Sequence, residues 1–164
     1  NGAVGPYNSY IYNNTIYVDN GSNANISIEK QSYGSLIANN IIYSEREIGL
    51  FQYPTDPVKT LQSSWLQDKE SYWRNNLFNR QPAWAKVVFA PYFVSQLVGD
   101  PGFAAKGGLR VQDYIPSNRE MVMHGYSVAP LPKDAGDGIK GGLKVEYDIL
   151  GNRITGDFIG AIQP

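Results

Sequence analysis

The sequence predicts an all-β fold wound as a parallel solenoid, and three observations carry that expectation. Tyr10-Ile11-Tyr12-Asn13-Asn14-Thr15-Ile16-Tyr17, Leu36-Ile37-Ala38-Asn39-Asn40-Ile41-Ile42-Tyr43 and Tyr72-Trp73-Arg74-Asn75-Asn76-Leu77-Phe78 share one plan. Each is an apolar strand, an Asn pair and a second apolar strand, and self-similarity at such intervals marks stacked coils. Ile26-Ser27-Ile28 and Ile48-Gly49-Leu50 alternate apolar with small or polar residues, which gives a strand one inward and one outward face. Long amphipathic helical stretches are absent. An antiparallel sandwich is the competing architecture, because short strands with frequent turns fit it too.

The Asn pairs define the corner of each coil. Asn tolerates left-handed backbone angles and bonds locally, so it suits a sharp turn between two strands. Stacked at one strand spacing, roughly 4.8 Å, Asn14, Asn40 and Asn76 can also bond to one another along the solenoid. The plainer alternative is that each pair marks a hairpin turn. Three strands per coil are expected, with Ile26 to Ile28, Leu36 to Ala38 and Ile41 to Tyr43 as the best examples. The second interval between pairs is longer than the first by about ten residues, the size of a loop insertion. Gln52 to Glu70 holds it: Pro54 and Pro57 break a mostly polar stretch anchored by Tyr53, Val58, Leu61, Trp65 and Leu66.

Charge and turn signals divide the chain into coils, Asn1 to about Phe103, and an irregular cap, Ala104 to Pro164, kept in one domain. The cap is expected to fold back along the last coil, with Leu143 to Ile149 and Phe158 to Ile162 as short strands.

These residues resemble the right-handed parallel β-helix proteins, the pectate-lyase-like superfamily, in which an Asn ladder lies between the second and third strands of each coil. Gln96-Leu97-Val98-Gly99-Asp100-Pro101-Gly102-Phe103 is similar to a segment near the end of many bacterial members. Ser127-Val128-Ala129-Pro130-Leu131, followed by Asp134-Ala135-Gly136, resembles a Ser-Pro segment of that family, here with two residues between Ser and Pro. Tyr147-Asp148-Ile149-Leu150-Gly151-Asn152-Arg153 and Asp157-Phe158-Ile159-Gly160-Ala161-Ile162 resemble its closing motifs, the first without the usual Pro. The resemblance implies the carboxyl end of a secreted or periplasmic carbohydrate-active enzyme, a polysaccharide lyase or glycoside hydrolase. A non-catalytic carbohydrate-binding or adhesion module is the alternative, since a fold does not fix an activity.

Composition agrees with one domain and narrows the partners. The chain has 164 residues, 42% of them hydrophobic, and a formal net charge of −1, so it can bury a core. Near-neutral charge removes the electrostatic reason to expect nucleic acid. No apolar run reaches bilayer-spanning length. Cys is absent, which does not choose a compartment. The chain opens Asn1-Gly2-Ala3 rather than with Met, as a processed or truncated product would. Asn13, Asn20 and Asn25 stand in glycosylation patterns that turn chemistry explains as well. Neither cofactor nor metal is expected: one His, no Cys and no acidic calcium-type loop offer no ligand set. Asp134 to Gly142 is Gly-rich but lacks the Lys-Ser/Thr of a phosphate loop.

The resemblance places polysaccharide along the first sheet of the coils and the loops beside it. If Ile26, Ile28, Ile48 and Leu50 point inward, then Asn25, Ser27, Glu29, Glu47, Gly49 and Phe51 point out. Trp84 to Phe89 is the expected counterpart in the third coil, with Lys86 or its neighbours outward. Asp19, Glu45, Arg46 and Arg80 enter from the loops, and Tyr53, Trp65, Tyr72 and Trp84 rim the group as platforms for sugar rings. In a β-elimination Lys86 is the base and Arg46 neutralises the uronic carboxylate. In hydrolysis Glu45 and Glu47 are the carboxyl pair, although residues two apart on a strand suit the required span poorly. Structural readings compete throughout. Glu45-Arg46-Glu47 also reads as a solvated, self-paired turn, Lys86 and Arg80 as surface charges, and Trp65, Trp73 and Trp84 as loop anchors. Met121 to Tyr126 stands where the resembled family has its last strand before the end cap, so His124 reads as a hydrogen-bonded cap residue rather than a general base. Asn1 to Asn8 are too few and too polar to cover the first coil, so that end is expected to meet preceding coils or another chain.

Overall fold

A computed structural model describes residues 9–28, 35–52, 72–86, 93–129 and 144–164, with the backbone alone at 51–52, 84–86 and 93–94. Among these, eleven short strands follow one another: β1 (Tyr10–Tyr12), β2 (Thr15–Val18), β3 (Ala24–Ile28), β4 (Leu36–Ala38), β5 (Ile41–Ser44), β6 (Ile48–Gln52), β7 (Tyr72–Arg74), β8 (Leu77–Phe78), β9 (Trp84–Lys86), β10 (Phe93–Val94) and β11 (Leu97–Val98). Each strand pairs with the strand three places on. Three sheets result, β1-β4-β7-β10, β2-β5-β8-β11 and β3-β6-β9. Every pairing between named strands is parallel. This order is compatible with a solenoid or β-helix and excludes the antiparallel sandwich.

The Asn pairs sit between the first and second strands of each repeat, as numbered here. The first residue of each pair takes the left-handed conformation, with φ of 52° at Asn13, 54° at Asn39 and 47° at Asn75; Ser95 continues the column at 56°. That reverses the chain within two residues while keeping register. The second residue forms the ladder. Asn14 Nδ2 donates to Asn40 Oδ1 at 2.9 Å and Asn40 Nδ2 to Asn76 Oδ1 at 2.9 Å. Asn76 Nδ2 then donates to Gln96 Oε1 at 3.0 Å, so a glutamine completes a column expected to hold three asparagines. With Asn40 and Asn76 buried, these bonds satisfy amides that would otherwise be costly to desolvate.

Inside the coils Ile37, Ile42, Ile48, Leu50, Trp73 and Phe78 form one cluster with Ala24 and Ile28. Trp73 is therefore a core residue in register with Ile37, not a loop anchor. Burial in β3 alternates as the sequence requires, with Asn25 and Ser27 exposed and Ala24 and Ile28 buried. Strands β4 and β5 are buried at every position, because their outer faces are covered as well. Ile41, Tyr43 and Leu77 pack outward against Phe103, Val122 and Ile159. Leu36 and Ala38 pack against Tyr126 and Val128.

The covering comes from the C-terminal segment, which runs the length of the stack rather than along its last coil. The left-handed asparagines hold it. Asn75 Nδ2 donates to His124 O at 2.7 Å, Asn39 Nδ2 to Tyr126 O at 2.7 Å, and Asn13 Nδ2 to Phe158 O at 2.8 Å. Met121 to Tyr126 is not a strand: a short helix, Arg119–Val122, is followed by irregular chain. Phe158 to Ile162 also forms no strand. Its backbone bonds are scattered: Gly160 N donates to Asn39 O at 2.7 Å and Ala161 N to Thr15 Oγ1 at 3.0 Å on the coils, while Ile159 N donates to Val122 O at 2.8 Å. Of the strand expected at Leu143 to Ile149, the described part shows one antiparallel bridge, Tyr147 to Arg153. Asp148 closes that turn by accepting from Leu150 N and Asn152 N at 2.9 and 2.8 Å. The insertion, Pro130 and the Gly-rich stretch up to 142 lie outside the described residues.

Candidate functional site

The outer face of β3-β6-β9 is built by register. Asn25, Gly49 and Trp84 stand in one column and Ser27, Phe51 and Lys86 in the next. Asn25 and Ser27 are exposed. Parallel pairing in register makes these columns straight rows across the sheet, a geometry suited to an extended chain molecule. Trp84 and Lys86 continue these columns at the level of the backbone, but Gly49, expected to point outward, is buried between Asn25 and Trp84. Tyr53 and Trp65, expected as sugar platforms, lie outside the described residues, as does Glu29.

The turns entering this sheet carry the remaining candidates. Glu45, Arg46 and Glu47 are all exposed at the β5–β6 corner, and Arg80 is exposed at the β8–β9 corner. The backbone there is well tied. Ala24 N donates to Glu47 O at 2.9 Å, Arg46 N to Ser44 Oγ at 3.2 Å, and Asn79 Oδ1 accepts from Ser44 N at 2.9 Å. The corner does not pair with itself. The ion pairs among the described residues are Lys106 with Asp100 and Arg110 with Asp113.

Glu45 instead accepts the phenolic hydrogen of Tyr17, from the second sheet. Tyr17 stacks on Tyr43 with ring centroids 5.3 Å apart and meets Tyr114 at 5.3 Å. Hydrogen bonding to the Glu45 carboxylate, with burial and that carboxylate's charge adding to it, pushes the Tyr17 phenol above its usual range. The Lys106 ammonium lies 5.3 Å from the Tyr43 ring centroid and 2.7 Å from Asp100. Its bond to Asp100 raises Lys106 and lowers Asp100. This cluster was missed by sequence reasoning. Its one legible signal was the outward register of Tyr17 and Tyr43 beside the Asn corners; the partners Phe103, Lys106 and Tyr114 come from the distant segment.

A cavity of about 470 Å³ opens between the Asn13 and Asn39 corners and the C-terminal segment, with Tyr12, Tyr126, Lys144 and Asp157 among its lining residues. His124 is exposed; its carbonyl, not its ring, makes the bond to Asn75. Among the described residues no group of three or more His, Cys, Asp or Glu side chains is placed to hold a metal. No helix among them is long and apolar enough to cross a membrane.

Compared with known proteins, the chain matches no family model, no curated protein and no solved structure.

Proposed function

We propose that this chain is part of a right-handed parallel β-helix protein that degrades polysaccharide, a lyase or glycoside hydrolase, secreted or periplasmic, and that sugar lies on the outer face of β3-β6-β9. One observation carries the reading: two straight columns that begin at the exposed Asn25 and Ser27 and reach Trp84 and Lys86 in unbroken register. Amide, hydroxyl, aromatic and cationic residue types in rows match the alternating polar and apolar faces of a sugar chain. The motif resemblance supplies the enzymatic class.

Within that reading elimination fits the residue types better than hydrolysis. Lys86 removes the proton beside a uronic carboxylate, the electron pair forms the new double bond, and the glycosidic oxygen departs with its sugar, while Arg46 neutralises the carboxylate. Glu45 bonds to Tyr17 of the second sheet, which suits it poorly as the hydrolytic partner of Glu47. Arg80 and Trp84 bind flanking sugars.

The test is incubation of the protein with a panel of uronic-acid and neutral polysaccharides. Products absorbing in the ultraviolet support the lyase, and new reducing ends without absorbance support the hydrolase. Binding without either product favours the non-catalytic carbohydrate-binding or adhesion module. No binding to any member sinks the carbohydrate reading.

A further inference from the structure

The stack is open at its first coil among the described residues: β1, β2 and β3 are each the outermost strand of their sheet. Their inward positions register what that leaves bare. Ile11 shares a column with Ile37 and Trp73, and Ile16 with Ile42 and Phe78. Ile11 is 48% and Ile16 38% exposed, whereas Ile37, Trp73, Ile42 and Phe78 stand at 3, 0, 0 and 1%. Residues that would be core one coil further on face outward here.

The ladder's polarity says what fits beneath them. Each Asn in the second and third coils gives one amide hydrogen forward along the ladder and the other back to a strand of the preceding coil. Asn40 Nδ2 reaches Ile11 O at 2.9 Å and Asn76 Nδ2 reaches Ile37 O at 2.9 Å. Asn14 turns its second bond to its own coil, Tyr12 O at 3.1 Å. The acceptors show the same asymmetry. Asn40 Oδ1 receives the backbone N–H and side-chain amide of Asn14, and Asn76 Oδ1 receives those of Asn40. Among the described residues none donates to Asn14 Oδ1.

We infer that the first coil is a docking surface for a further coil-shaped polypeptide segment, a parallel strand, Asn turn and strand, whose Asn donates both its backbone and side-chain N–H to Asn14 Oδ1 while apolar residues cover Ile11 and Ile16. Open strand edges supply the backbone bonds of such an addition. The ladder supplies the specificity, because an acceptor-only side chain at the turn would face an acceptor. This inference does not depend on the carbohydrate reading.

A fluorescent peptide with the sequence Leu36 to Ser44 carries the required pattern and serves as the probe against the full chain. Saturable binding by anisotropy is expected, weakened about tenfold when the peptide's second Asn becomes Leu, as for loss of a buried hydrogen-bonding group. It should be abolished by Ile16→Lys in the chain. The peptide change leaves the chain untouched, so it stays decisive if the lysine variant does not fold. Absence of binding to the folded chain, or binding indifferent to the peptide's Asn, overturns the inference. Binding that requires removal of residues 1–8 overturns it in favour of the chain's own start. Self-association that Ile16→Lys abolishes in sedimentation overturns it in favour of a second copy.

Discussion

Asn40 Nδ2 donates to Asn76 Oδ1 at 2.9 Å across two coils, with both residues buried. Asn40 and Asn76 each donate to one neighbour in this column and accept from another, so removing either strands two partners. Asn40→Ala leaves Ile11 O without its side-chain bond and Asn14 Nδ2 without its acceptor. A loss of about 2–4 kcal/mol is expected in urea unfolding, the scale for breaking a buried network. Asn14→Ala, at the open end, should cost clearly less. Equal losses at both positions would mean that the ladder's bonds do not set coil stability.

Asn39 has two separable duties. Its backbone is left-handed at φ 54°, and its side chain clasps Tyr126 through bonds of 2.7 and 2.6 Å. Asn39→Gly keeps the first duty and loses the second. Faster amide hydrogen exchange is expected at Tyr126, with Asn40 and Ile41 still protected. Asn39→Ala adds backbone strain of roughly 1–2 kcal/mol, so it should unfold at lower urea than the glycine variant. Unchanged exchange at Tyr126 in Asn39→Gly would show that packing alone holds the segment.

Asp148 links the C-terminal turn to pH. Burial works to raise its pKa, but bonds from the Asn152 side chain and from the backbone N–H groups of Asn152, Gln163 and Leu150 outweigh it and lower the value. A carboxylate lowered on folding stabilises the fold fully above its unfolded pKa, the ordinary 3.8, and that contribution goes as pH falls from there through the lower folded value. Asp148→Asn should remove this part of the acid loss, giving a shallower fall in stability below that range. A wild-type slope identical to the variant's would refute the linkage.

The Tyr17 phenol should titrate above the ordinary tyrosine value of 10.0, by NMR of ring-labelled protein, because Glu45 accepts its hydrogen. Glu45→Gln removes the charge and keeps the shape, so Tyr17 should move down toward the ordinary tyrosine value of 10.0. No movement would mean that burial against Tyr43 and Tyr114, not the carboxylate, sets the shift.

The sequence by itself determined the repeat. Period-two alternation in Ile26 to Ile28 and Ile48 to Leu50, and Asn pairs at fixed places between apolar strands, are local signals that only one strand period satisfies. They are enough to place Asn14, Asn40 and Asn76 in one column. The course of residues 104–129 and 144–164 was not legible, because their turns bond locally, as Asp148 does with Leu150 and Asn152, while their placement is set by distant asparagines on the coils. Phe158 to Ile162 reads as a strand from apolar content, yet its bonds are divided among Asn13, Asn39, Thr15 and Val122, with no single strand as partner. Trp73 likewise reads as an anchor until register places it beside Ile37 in the core. The candidate site divides the same way: the Asn25 and Ser27 columns follow from alternation, whereas the partner of Glu45 was decided by tertiary structure, because Tyr17 lies one coil away and only parallel stacking brings their side chains together.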